Sequence, residues 1–179
     1  MYGLVNKGIR DYALTSGGED LWQRIRTKAD WAEDDFLSMQ DYDDAVSVRL
    51  IGAAADVLET TPDDIMRGFG RHWVLFTGQE GYGPLMSLSG ATLPEFLKNL
   101  DAMHGRLKNS MMGLKPPKFT CTQLDDTTYE VSYFSEREGL APMVEGLLSG
   151  LAERFEVEVT ITCVEVSDAK NAAVFHLAL

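Results

Sequence analysis

At 179 residues, 45% hydrophobic and 25% charged, the chain has the make-up of one globular domain, long enough to bury roughly 70% of its unfolded surface and to hold a cavity in its core. A formal net charge of −12 disfavours nucleic acid and anionic membrane surfaces as partners, and no apolar run approaches the ~20 residues of a membrane span. No charged N-terminal region precedes a long apolar stretch, so no signal peptide is expected, and a cytoplasmic protein acting on a small ligand or a partner protein fits best.

Residues 1–112 carry helical periodicity. Gly17-Gly18 predicts the end of a first helix, with a second over Glu19 to Lys28. Asp43 to Leu58 reads as another; Asp41, Asp43 and Asp44 lack the glycine and distal glutamate of a calcium loop and suit a helix N-terminus. Thr61-Pro62-Asp63-Asp64 supplies a cap, a proline in the first turn and acids behind it, opening a helix through Ile65, Phe69, Trp73 and Phe76. Gly78, Gly81 and Gly83 follow a helix rather than a strand and lack a phosphate-binding lysine, which makes them a turn. Thr92-Leu93-Pro94-Glu95 is a capping box, and Leu93, Phe96, Leu97, Leu100, Met103, Leu107 and Met111 form the stripe of the helix that follows.

The character changes between Gly113 and Pro117, where Pro116-Pro117 forces extended backbone. Residues 113–179 then predict strands over Lys118 to Thr122 and Thr128 to Arg137, joined by an Asp125-Asp126 turn. A helix over Gly139 to Phe155 presents Leu140, Met143, Leu147, Leu151 and Phe155. Val157, Val159, Ile161 and Cys163 alternate along one further strand, and Ala173, Phe175, Leu177 and Leu179 along another. Helices first, then strands around one helix, predict an α+β class with an antiparallel sheet, read as a single domain over 1–179.

Three positions invite chemistry. His104 shares a helix face with Leu97, Leu100 and Leu107 and points at the core, as a hydrogen-bonded core histidine or a metal ligand. Tyr133, Ser135 and Arg137, two apart on a predicted strand, project together as a phenol, a hydroxyl and a guanidinium, a receptor for carboxylates or else a solvated strand edge. Pro116-Pro117 is a rigid connection that could set a stiff ring against a flat ligand. His72, near a helix end, reads as solvated, and His176 faces away from Phe175 and Leu177; neither receives a role. Cys121 and Cys163, without CxxC spacing, read as two buried reduced thiols.

Taken together these features resemble the H-NOX (haem-nitric oxide/oxygen binding) family across the whole chain. The resemblance is carried by Met1-Tyr2-Gly3-Leu4-Val5-Asn6, by Glu80-Gly81-Tyr82-Gly83, by His104, by Pro117, by the Y-x-S-x-R signature of Tyr133, Ser135 and Arg137, and by Gly139-Leu140-Ala141-Pro142-Met143. It implies a b-type haem buried between the helical part and the sheet, with His104 as proximal iron ligand and Tyr133, Ser135 and Arg137 on the propionates. Pro117 would bend the porphyrin. Val5, Ile9, Trp73 or Val74 and Leu147 would form the distal wall, with Leu100 and Met143 also in the pocket. A backbone carbonyl is the expected acceptor for the second nitrogen of His104.

Oxygen-binding members place a tyrosine in the helix after the signature; Ala141-Pro142-Met143-Val144 has none, although Trp73 carries one N–H. The resemblance therefore implies a gas sensor selective for NO, with CO binding incidental. In that family NO binds opposite the proximal histidine, weakens its bond to iron and lets the bent haem relax, which a partner protein reads. With no output domain after Leu179, a bacterial stand-alone member serving a separate histidine kinase or cyclic-di-GMP enzyme is expected, without catalysis of its own. The alternatives are an oxygen sensor, a haem peroxidase using Arg71 and His72 as its distal pair, and a scaffold of this fold without haem. The C-terminal cysteine cluster of some relatives is not matched, since Cys163 stands alone there.

Overall fold

The computed structural model describes residues 1–33, 35–110, 114–167 and 171–179. Helix α1 (Gly3–Lys28) is two helices joined at Gly17-Gly18, where Gly18 takes φ 70° and ψ −167°, the break expected from the glycine pair. Helix α2 (Asp44–Leu58) is capped by Asp43, whose carboxylate accepts from Ala45 N at 2.9 Å. Helix α3 (Pro62–Thr77) starts where Thr61 Oγ1 accepts from Asp64 N at 3.1 Å. A π-helical turn (Gly78–Tyr82) leads into the short α4 (Gly83–Ser87). Helix α5 (Leu93–Ser110) begins at the capping box: Thr92 Oγ1 accepts from Glu95 N at 3.4 Å, and Glu95 reaches back to Ala91 N at 3.0 Å. The expected reach of this helix to Met111, and the change of character at Gly113, lie outside the described residues.

Strands β1 (Lys118–Gln123), β2 (Thr128–Phe134), β3 (Thr160–Ser167) and β4 (Ala172–Ala178) form one antiparallel sheet in the order β1-β2-β4-β3, and α6 (Ala141–Arg154) packs on its inner face. The chain is therefore α+β, as expected. Two strand boundaries differ from the pattern. β3 starts at Thr160 rather than Val157, because Val157 N donates to Ala152 O at 3.0 Å and closes the end of α6. β2 stops at Phe134, short of Arg137: Ser135 N donates to Asn171 O, and the Ser135 hydroxyl then accepts from Arg137 N at 3.1 Å, which turns the chain out of the sheet.

The buried side chains divide into two clusters, and the division does not follow the change from helix to strand. One gathers Leu21, Trp22, Ile25, Leu50 and Phe69 from α1, α2 and the first half of α3. The other gathers Val74, Leu93, Phe96, Val131, Leu148, Phe175 and Leu177, so α5 and the end of α3 belong with the sheet. Helix α3 spans both clusters. It meets α6 main chain to main chain: a Cβ on Gly146 would overlap Arg67 O, and one on Gly70 would overlap Met143 O. That close crossing fixes α3 and α6 as one wall of the space between the two cores.

Candidate functional site

A cavity of about 290 Å³ opens at this seam, at the small end of the ~300–1,000 Å³ usual for small-molecule sites. Every main element except α2, β3 and β4 contributes to its wall. From α3 and α6 come Trp73, Val74, Met143 and Leu147; from α1, Leu4 and Val5; from α5, Leu100, His104 and Leu107, spaced one turn apart on one face. Of the two α3 positions left open by the sequence, Trp73 and Val74 both line the space. Leu100, Met143, Leu147, Val5 and Pro117 line it as expected. Ile9 does not: it is buried in the N-terminal core beside Ala13 and Phe69.

His104 is the chemically exposed point of this apolar wall. Its ring packs on Phe119, with centroids 5.6 Å apart, and Phe119 in turn packs on Tyr133 at 5.3 Å. Asp101, one turn earlier on α5, accepts from Phe119 N at 3.2 Å and so ties the histidine's helix to the first strand. Burial pushes the His104 imidazole down to about 4, with the Asp101 charge opposing, so the ring is neutral at pH 7 and keeps a nitrogen lone pair for a metal. Its Nδ1 is buried with no hydrogen-bond partner among the described residues; the backbone carbonyl expected as its acceptor is not found there. Nor, among the described residues, do three or more His, Cys, Asp or Glu side chains gather into a metal site, so His104 would serve as a lone protein ligand to a metal whose other positions are filled otherwise.

Tyr133, Ser135 and Arg137 also line the cavity, brought together by the turn after β2 rather than by strand alternation. The Tyr133 and Ser135 side chains are hydrogen bonded; burial raises the phenol's pKa, with the Ser135 bond and the Arg137 charge opposing, so it is a donor at pH 7. Arg137 already grips a carboxylate: Nε donates to Asp44 Oδ2 at 2.8 Å and Nη1 to Lys115 O at 3.3 Å. Burial acts to raise the Asp44 pKa, but its bonds from the Met1 amino group and Arg137 outweigh that and hold it low. Pro116 and Pro117 are part of the same wall.

The site fits a haem on three counts of its own: an apolar slot, one neutral imidazole with an unpartnered nitrogen, and a phenol, hydroxyl and guanidinium grouped together for carboxylates. It does not fit a peroxidase. His72 is not solvated but paired with Asp11 at 2.7 Å, its side chain only 10% exposed, and Arg71 pairs with Glu153 at 2.6 Å; neither residue lines the cavity. Cys163 is exposed rather than buried, because β3 is an edge strand that α6 does not cover there, while Cys121 is half-buried; both thiols are free. The sequence pattern did not single out Tyr82, Leu85 and Phe119 as wall residues. Phe119 could have been found from its alternation with Cys121 on β1, whereas Tyr82 reaches the cavity through a turn that no periodicity describes.

An apolar slot between a helical layer and an antiparallel sheet, with one histidine and a phenol, hydroxyl and guanidinium group on its wall, has the form of a prosthetic-group-binding domain. The chain belongs to the haem-NO-binding family, whose model matches residues 2–163. It is 28% identical over 172 residues to soluble guanylate cyclase gcy-31 of Caenorhabditis elegans and 30% identical over 172 residues to gcy-37 of the same organism, covering 96% and 92% of this chain. The chain spans about a quarter of these relatives, 24% of each. Among solved structures it superimposes on an oxygen-binding H-NOX domain related to soluble guanylate cyclases, in its oxygen complex, with a TM-score of 0.84 at 19% identity over 99% of this chain and 94% of that one. An H-NOX protein from S. oneidensis in the Fe(II) ligation state gives 0.89 at 16% identity over 100% and 96%. These likenesses establish the fold. No helix among the described residues is long and apolar enough to cross a membrane.

Proposed function

We propose that this chain is a haem-based sensor of NO, in which His104 is the iron ligand and α5 the element that reports ligand binding. The observation that carries the reading is the neutral imidazole of His104, its Nδ1 buried without a partner, on the wall of an apolar cavity. A bound ferrous haem b would supply an iron with one open position for a diatomic gas. Around it, this chain's residues divide the work. Tyr133, Ser135 and Arg137 would bind and orient its carboxylates; Val5, Trp73, Val74, Met143 and Leu147 would exclude water around it; Pro117 would pack against it.

The mainly apolar distal wall supports NO over O₂, because bound O₂ gains from a hydrogen-bond donor and NO needs none. CO binding is then incidental. Signalling follows from how His104 is held. Its position is shared by Phe119, Asp101 and the sheet, so a change at the imidazole shifts α5 against β1 and alters the surface that a partner reads. A separate histidine kinase or cyclic-di-GMP enzyme in a bacterial cytoplasm is the partner we favour, with no catalysis by the domain itself. The cyclase names of the relatives leave a guanylate cyclase as a second possible output.

Haem titration into the His104→Gly variant tests the assignment. Free imidazole should restore the Soret band and ferrous spectrum of the parent protein. A variant that takes up haem with the parent's spectrum and ignores imidazole would remove His104 from the iron.

A further inference from the structure

Between α3 and α4 the π-helical turn Gly78–Tyr82 contributes Tyr82 to the wall of the cavity. Glu80 and Gly81 leave helical geometry there, and Gly81 takes φ 94°. None of the five residues is buried, yet Tyr82 lines the cavity. Tyr82 is thus partly exposed while it lines the cavity. Its hydroxyl makes no hydrogen bond to the described residues, so packing alone holds the ring in place. One tether crosses from this turn to α1: Lys7 Nζ lies 2.9 Å from Glu80 Oε2, with side chains 30% and 32% exposed. Lys7 follows by one turn Leu4, which lines the same cavity.

We propose that Gly78–Tyr82 is the entry port for the gaseous ligand, with the Tyr82 ring as its door and the Lys7–Glu80 ion pair as its latch. The proposal rests on the gas-sensing reading and adds the route by which the ligand reaches the cavity. Rotation about Gly81 moves Tyr82 without unpacking α3 from α6, since Gly81 has open space where a Cβ would stand. A half-exposed ion pair shifts such an opening equilibrium by a modest factor, about two- to fivefold, and salt weakens it. Tyr82 thereby sets the rate of ligand entry, while the distal wall sets which ligand stays.

Flash photolysis of the CO complex of the reduced, haem-loaded protein tests this. Lys7→Gln should raise the bimolecular CO association rate by about two- to fivefold, and Tyr82→Ala should raise it further. Rising NaCl should speed association in the parent protein and leave Lys7→Gln unmoved. Lys28→Gln, which breaks the Lys28–Asp56 pair between α1 and α2 away from the cavity, should match the parent. Hydrogen exchange at the amides of residues 79–83 should quicken in Lys7→Gln, and this together with the salt series carries the test if Tyr82→Ala does not fold. Unchanged association rates, salt dependence and exchange in Lys7→Gln would overturn the port. A protein that forms no CO complex at all would instead overturn the haem reading beneath it.

Discussion

A histidine kept neutral by burial must show itself in the pH dependence of stability. In the haem-free protein, folding lowers the His104 pKa from 6.5 to about 4. Between those values the unfolded chain binds a proton that the folded chain refuses, so stability falls as pH drops from 6.5 and levels off near 4. The full shift corresponds to about 3 kcal/mol, of which about 2 kcal/mol should be lost between pH 7 and pH 5. The carboxylates that their partners hold low, Asp44, Asp64, Asp125 and Glu136, shift in the same direction but titrate in a more acidic window. They contribute above their unfolded values of 3.8 or 4.5 and lose that contribution only in more acidic solution. The window from pH 7 to pH 5 therefore isolates histidines. Urea denaturation of the haem-free parent and of His104→Leu at both pH values should give a stability loss in the parent that exceeds the variant's by about 2 kcal/mol. Equal losses in the two proteins would mean that His104 is solvated when haem is absent, and the reasoning from its burial would fail.

Three further outcomes follow from the packing. Gly146→Ala should destabilise by about 1–3 kcal/mol, because its Cβ has only the α3 main chain to enter, whereas Gly52→Ala on α2, with open space around it, should stabilise by about 0.4–1 kcal/mol; thermal melts of the pair separate the two cases. Asp101→Ala should cost about 1–3 kcal/mol by stranding the Phe119 amide, and should shift the iron–histidine vibration of the haem-loaded protein, since α5 loses its tie to β1. Arg137→Lys keeps the charge but loses the planar fork, and should speed haem transfer to an acceptor protein by about tenfold.

What the sequence made legible was whatever local chemistry decides. The caps at Asp43, Thr61 and Thr92, the glycine break at Gly17-Gly18 and the inward alternation of Ala173, Phe175 and Leu177 all appear where the residues placed them. The misreadings share a cause, which is competition from a partner distant in the chain. Ser135 leaves the strand because Asn171 and its own hydroxyl offer better use of two amides. His72 is taken in by Asp11, 61 residues away, and Ile9 turns to the N-terminal core although its stripe includes Val5. Cys163 alternates like a core residue but sits where the sheet outruns its covering helix. At the site, spacing made His104 and the Tyr133, Ser135 and Arg137 group candidates and the family resemblance implied their roles, but neither pointed to the Asp44 carboxylate that Arg137 grips, which comes from the N-terminus of a helix 93 positions earlier.

The most direct test of the central claim is an absorption spectrum of the reduced, haem-loaded protein before and after NO, and then a second reduced sample in air. A histidine-ligated ferrous spectrum that changes to that of an NO complex lacking the His104 bond, with no stable complex in air, is the result the apolar distal wall predicts. A stable oxygen complex would contradict NO selectivity and put a donor, Trp73 first, against the bound gas.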